Sequence, residues 1–179
     1  MPTMQYVAFL RGMNVGGRRI TNEDLCRAFA SFGFDDAWAF IASGNVAFTS
    51  TMRSLDKVAR KVEVGLRKAL DYEVPTFVRS GADVARIAAF EPFEATRGAD
   101  GGKPQVAMLN QAPTAKLRKE VLAQATDDDA LAIDGSELYW LPRASVLDTG
   151  LDMDAIEASL GGWTVRTHNT IQRLAKKLG

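Results

Sequence analysis

The order of apolar patterns along the chain constrains the fold more than any other feature, because the order is the same in both halves. In the first half, an unbroken apolar run at residues 6–10 is typical of a strand buried on both faces. Apolar residues at helical spacing follow the N-cap Thr21 and recur at residues 55–70. The complete predicted order is a strand at 6–10, a helix at 21–33, strands at 37–42 and 46–49, a helix at 55–70, a strand at 75–78 and a short helix through Val84 and Ile87.

The second half repeats this order with little residue identity. It predicts a strand at 105–110, a helix opening at Pro113, strands at 130–133 and 138–141, a helix from Asp152, a strand at 163–165 and a terminal helix. Strand, helix, strand, strand, helix, strand is the order of the ferredoxin-like split βαβ motif. We therefore predict an α+β protein, an α/β sandwich of two ferredoxin-like βαββαβ repeats with an additional C-terminal helix.

A stretch without periodicity separates the two halves. Residues 91–104 carry Pro92, Pro104 and three glycines, a composition typical of a linker. The predicted domains are an N-terminal ferredoxin-like repeat at 1–92, a linker at 93–104, and a C-terminal repeat with its terminal helix at 105–179.

The charge balance argues against a general attraction to nucleic acid or anionic lipid. The 179 residues include 22 Lys and Arg and 22 Asp and Glu, so the net charge is zero. No apolar run is long enough to span a bilayer and the N-terminus lacks a secretory pattern, so we expect a cytoplasmic protein with no membrane partner. The single cysteine, Cys26, excludes an internal disulfide and a thiolate zinc cluster. Charge is uneven only locally: residues 127–159 hold nine acids and one base, and the chain ends basic.

Two loops carry the predicted site. Residues 11–17, Arg-Gly-Met-Asn-Val-Gly-Gly, follow the first strand, and Ser43-Gly44-Asn45 joins the second strand to the third. In the ferredoxin-like topology the strand order is four, one, three, two, so both loops lie at the same edge of the sheet. Guanidinium, amide and hydroxyl groups there suit a phosphate or carboxylate, and glycine lets the backbone approach a ligand. The predicted ligand-binding residues in these loops are Arg11, Asn14, Gly16, Gly17, Ser43, Gly44 and Asn45.

A third segment lies between the last strand and the terminal helix. Arg166, His168 and Asn169 stand where exposed N-H groups of a helix start favour an anion, and Asn169 or Thr170 is expected to cap that helix. We include Arg166, His168 and Asn169 in the candidate ligand site, on the hypothesis that this segment folds across to the first two loops.

The residues present argue against several other kinds of site. Gly12 and Gly17 have Walker A spacing, but Arg18 and Arg19 replace its Lys and its Ser or Thr. No metal site is predicted, because His168 is the only histidine, and Cys26 is expected to be a packing residue. The third strand places Phe48 on the core side, which leaves the opposite face open and without the stacking aromatics of an RNA recognition motif.

Two further functions stay open beside the binding of a small anionic ligand. One is nucleic-acid binding through the basic terminal helix and the helix that bears Arg60, Lys61, Arg67 and Lys68, although a solvated helix face explains these charges more simply. The other is a structural or oligomeric role. The sequence assigns no catalytic residue and no cofactor, and it does not determine the oligomeric state.

Three stretches together resemble the DUF1697 family of uncharacterised bacterial proteins. They are residues 11–17, Ser43-Gly44-Asn45-Val46, and residues 164–170, which read Thr-Val-Arg-Thr-His-Asn-Thr. The resemblance covers the whole chain and implies two ferredoxin-like halves with no assigned biochemical role and no catalytic residues. In that family the closing motif usually reads Arg-Asn-Trp-Asn-Thr, so Thr167 and His168 stand where Asn and Trp are usual.

Overall fold

A computed structural model describes residues 2–41, 44–93 and 102–179. These residues form two four-stranded antiparallel sheets and six helices, which confirms the predicted fold class of two ferredoxin-like repeats. The elements of the first half are β1 (Met4–Leu10), α1 (Asn22–Ser31), β2 (Asp35–Ala39), β3 (Asn45–Ser50), α2 (Leu55–Leu70), β4 (Thr76–Ser80) and α3 (Gly81–Ala89). Those of the second half are β5 (Gln105–Leu109), α4 (Ala115–Leu122), β6 (Asp129–Asp134), β7 (Glu137–Pro142), α5 (Met153–Ser159), β8 (Trp163–Thr167) and α6 (His168–Leu178).

The first sheet has the strand order β2-β3-β1-β4, as the topology predicts. Tyr6 and Ala8 of β1 pair with Phe48 and Val46 of β3, so apolar side chains lie opposite one another on the face that α1 and α2 cover. The two helices contact each other closely at Gly65, where an added Cβ would lie 2.6 Å from the Phe32 ring.

The opposite face of the first sheet is also buried. Val7, Phe9 and Ala47 are each 0% exposed. The prediction that this face is open was therefore wrong, whereas the prediction that β1 is buried on both faces is confirmed. The pattern within one strand could not distinguish these cases, because alternation identifies two faces but not what covers each of them.

The second sheet has the equivalent order, β6-β7-β5-β8, with a core on the side of α4 and α5. Helix α4 has Thr114 as its N-cap, one residue after the predicted Pro113, and the Thr114 hydroxyl accepts a hydrogen bond from the Leu117 N-H at 3.2 Å. Helix α6 has Thr167 as its N-cap, with its hydroxyl 3.2 Å from the Thr170 nitrogen. The prediction that Asn169 or Thr170 caps this helix was wrong.

The described chain divides into two compact units, Met1–Ala85 with Leu178 and Arg86–Lys177 with Gly179. The division falls within α3. In the second unit, Arg86 pairs with Asp134 at 2.5 Å and with the fully buried Glu137 at 2.6 Å. Burial opposes the charge of Arg86, but its hydrogen bond to Glu137 and both carboxylate charges raise its pKa. Residues 94–101 lie outside the described residues, and the linker at 93–104 stays a prediction.

Candidate functional site

Three chain segments meet at the end of β1 in the first unit. The Leu10 N-H donates to the Gly44 carbonyl at 2.7 Å, and the Arg11 N-H donates to the Pro75 carbonyl at 3.0 Å. The segment from the end of β1 to the N-cap of α1, residues 11–21, is called the basic loop from here on. It therefore starts beside the β2–β3 connection, in the arrangement that the strand order predicts.

The basic loop has a defined conformation. Asn14 takes a left-handed backbone conformation with φ of 56°, and its Oδ1 accepts a hydrogen bond from the Ile20 N-H at 2.8 Å. Arg19 donates to the Asn14 carbonyl, also at 2.8 Å. Both bonds join the two ends of the loop, so that Gly16 and Gly17 are held between them. A Cβ built at either glycine meets nothing within 4 Å, which leaves their backbone open to a ligand.

The arginines of the basic loop lie at the surface. Arg11, Arg18 and Arg19 are all exposed, and no acidic residue occurs within residues 11–21. Tyr72 lies in the turn that follows α2. The Arg18 guanidinium lies over its ring, 4.1 Å from the ring centroid. Tyr72 therefore restricts the position of one cation of the loop.

Of the predicted hairpin residues, Asn45 is buried and bonded to the backbone rather than open to a ligand. Asn45 is 5% exposed, and its side-chain amide donates to the Phe40 carbonyl at 3.1 Å, beside the Phe40 N-H to Asn45 carbonyl bond at 2.8 Å. Gly44 is buried, and Ser43 lies outside the described residues. A role of Ser43, Gly44 and Asn45 in ligand binding stays a prediction, and the contacts of Asn45 stabilise the β2–β3 connection.

The C-terminal segment belongs to the second unit. Arg166 donates to the Thr164 hydroxyl at 2.9 Å and to the Val165 carbonyl at 2.8 Å, and burial lowers its pKa to about 10. His168 is 3% exposed and its Nε2 donates to the Ile87 carbonyl at 2.9 Å, since a carbonyl oxygen only accepts. Asn169 is exposed. The hypothesis that this segment reaches the basic loop stays a prediction.

Comparison with known proteins establishes the family. The model of the family described as protein of unknown function, DUF1697, matches residues 4–139. The chain belongs to the DUF1697 family. This match confirms the resemblance carried by the loop motifs, and it ends before the motif at residues 164–170.

A solved structure also resembles this DUF1697 chain along its whole length. The conserved bacterial protein SP0830 from Streptococcus pneumoniae is 17% identical to it, and the match covers 99% of each chain with a TM-score of 0.77. At this identity the likeness concerns the fold. No curated protein matches the chain.

The structure also defines which chemistries the described residues of this DUF1697 protein could support. Within the described ranges, no group of His, Cys, Asp and Glu is arranged to hold a metal ion. None of the described helices is both long and apolar enough to cross a membrane. Cys26 is half-buried, and this burial raises the pKa of its thiol, which disfavours the nucleophilic thiolate.

Sequence reasoning missed one residue at the basic loop and one group of residues in the second unit. Tyr72 follows a helix far along the chain from Arg18, and nothing in the local sequence indicates the pair. The group in the second unit lines a cleft and includes Trp140 and Trp163. Here a signal was present, because the cleft draws its carboxylates from the acidic stretch at residues 127–159.

Proposed function

We propose that this DUF1697 protein binds a small anionic ligand, with a phosphate or carboxylate group, at the basic loop. The observation that carries the proposal is the Arg18 guanidinium, exposed to solvent yet held over the Tyr72 ring at the end of a loop whose own hydrogen bonds define its shape.

A guanidinium forms charge-assisted, often bidentate hydrogen bonds with carboxylate and phosphate oxygens. A long side chain normally loses rotamer freedom when it binds, and a position restricted beforehand lowers that cost. The Tyr72 ring supplies this restriction for Arg18.

The rest of the loop supports the same ligand class. Arg11 and Arg19 add two positive charges with no acidic residue in residues 11–21. Gly16 and Gly17 leave open space beside the backbone, so an anion could approach their N-H groups as it does in other glycine-containing anion sites.

Thermal unfolding in the presence of inorganic phosphate, nucleotides, sugar phosphates, a carboxylate such as citrate, and a short oligonucleotide tests the proposal. A ligand at about a hundred times its dissociation constant adds roughly 2.7 kcal/mol to the free energy of unfolding. We expect one class of small anion to stabilise the protein and to lose most of this effect in Arg18→Ala and in Arg11→Ala.

Arg60→Ala is the matched control, because it removes an exposed arginine of α2 in the same unit. A small anion should stabilise this variant as it stabilises the unsubstituted protein. The proposal is wrong if no small anion shifts the unfolding transition. It is also wrong if only the oligonucleotide does so and Arg60→Ala alone removes the effect, a result that would favour nucleic-acid binding at α2.

A further inference from the structure

A cleft of about 470 Å³ lies in the second unit, with a volume in the range of small-molecule sites. Gln105, Trp140 and Trp163 of the second sheet line the cleft. Three carboxylates at the start of α5 and within it, Asp152, Asp154 and Glu157, line it as well. Val146, Thr149 and Leu151, in the connection between β7 and α5 (residues 143–152), also line it. This site is called the acidic cleft.

A buried carboxylate holds the walls of the acidic cleft together. Asp129 is 2% exposed and accepts two hydrogen bonds through the same oxygen, from the Trp140 indole nitrogen at 2.8 Å and from the Thr149 hydroxyl at 2.9 Å. One bond orients the Trp140 indole of β7, and the other attaches the long connection to β6, the strand that carries Asp129. The two bonds therefore hold the Trp140 side chain and the connection in place relative to each other.

The charge of the acidic cleft has one sign. Three of the described residues that line the cleft carry a carboxylate. No Lys or Arg is among the described lining residues. Asp152 Oδ1 accepts the Ala155 N-H at 3.0 Å as the helix cap, and Glu157 accepts the Trp163 N-H at 3.4 Å. Asp154 is the second residue of the helix, and its side chain is exposed. Carboxylates beside aromatic rings favour a cation, which gains Coulomb attraction from the former and a cation–π interaction from the latter.

We propose that the acidic cleft binds a small organic cation, an amine or quaternary ammonium carried on an apolar body. An organic cation fits better than a metal ion, because the described carboxylates do not converge into a metal-binding group and two indoles line the space. Aliphatic side chains, including Val146 and Leu151, provide apolar surface for the body of the ligand. This proposal involves other residues and the opposite charge from the proposed anion site, so each can fail alone.

Tryptophan fluorescence gives a direct readout. The chain has three tryptophans, and Trp38 lies on β2 in the first unit, so Trp38→Phe leaves the two cleft tryptophans as reporters. The probes are choline and its uncharged carbon isostere, in which a tert-butyl group replaces the trimethylammonium group. We expect choline to change the fluorescence saturably and the isostere to bind roughly tenfold more weakly.

Two variants locate the effect. Asp154→Asn removes a charge that makes no helix cap, and we expect it to weaken choline binding roughly fivefold, a factor typical of one charge pair near the surface. Glu120→Gln removes an exposed carboxylate of α4 and should leave the affinity unchanged. The proposal is overturned if choline gives no saturable change in the folded protein, if the uncharged isostere binds as tightly, or if Glu120→Gln weakens binding as much as Asp154→Asn.

Discussion

The two repeats share one topology but differ in where their longest connection lies. In the first repeat, residues 11–21 separate the central strand β1 from α1, whereas only residues 110–114 join β5 to α4. In the second repeat, residues 143–152 separate β7 from α5, whereas residues 51–54 join β3 to α2. The additional chain thus follows the first strand in one repeat and the third strand in the other.

The charges of the two long connections differ as well. The first carries Arg11, Arg18 and Arg19 without an acid. The second carries Asp148 and Asp152 against Arg143, and it leads into Asp154 and Glu157 of α5. A specific polar bond orders each of them: the Asn14 side chain bonds to Ile20 within the first connection, and Thr149 attaches the second connection to Asp129 of β6. The comparison shows how one fold acquires two chemically different candidate sites, because connections tolerate changes in length and charge that the buried strands do not.

The largest effect that we expect concerns the second unit, where Arg86 pairs with Glu137. Arg86→Ala leaves a fully buried carboxylate without its guanidinium, so we expect the free energy of unfolding to fall by about 3 kcal/mol in urea denaturation. Asp134→Asn changes the partly exposed partner of the same arginine and should cost less than about 1 kcal/mol. Equal losses in the two variants would contradict the assignment of Glu137 as the dominant partner.

An intermediate effect is expected in the basic loop. Asn14→Ala removes the acceptor for the Ile20 N-H and places alanine in a left-handed conformation, at a combined cost of about 2 kcal/mol. Asn14→Gly tolerates the backbone conformation but still lacks the acceptor, so it should cost about 1 kcal/mol. Urea unfolding of both variants separates the two contributions, and a glycine variant no more stable than the alanine variant would show that the backbone conformation contributes nothing.

The smallest effect is expected in the connection of the second repeat. Thr149→Val removes the hydroxyl that donates to Asp129 and should lower the free energy of unfolding by about 1 kcal/mol. Thr51→Val, in the equivalent connection of the first repeat, changes an exposed threonine and should stay within about 0.5 kcal/mol of the unsubstituted protein. If both substitutions leave the urea midpoint unchanged, the bond from Thr149 does not stabilise the acidic cleft.

Local sequence signals predicted much of the fold. Thr21 is an N-cap as expected, and the helix predicted from Asp152 begins at Met153 with Asp152 as its N-cap, since a short polar side chain before a helical apolar pattern acts on its own neighbours. The range predicted for the second strand, residues 37–42, was misplaced. The observed strand β2 is Asp35–Ala39, and its register is irregular between Asp35 and Trp38. An irregular edge strand gives a weak alternation, and its bounds depend on pairing with β3.

The candidate site was less predictable than the fold. The proximity of Gly44 to Leu10 follows from strand order, and strand order follows from the element order. The burial of Asn45 and His168 does not, because a polar side chain near a turn or helix start has the same sequence pattern whether solvent or other elements surround it. Both residues form specific hydrogen bonds with backbone carbonyls in the structure.

The sequence by itself determined the type and order of the elements, the repeated topology, and the charge of each long connection. These features depend on periodicity, capping and composition, which act over a few neighbouring residues. Only the tertiary structure decided that Tyr72 restricts Arg18, and that Asp129 joins Trp140 to Thr149 around a cleft. Such contacts unite residues far apart in the chain, and their geometry depends on strand pairing and loop path together rather than on any local pattern.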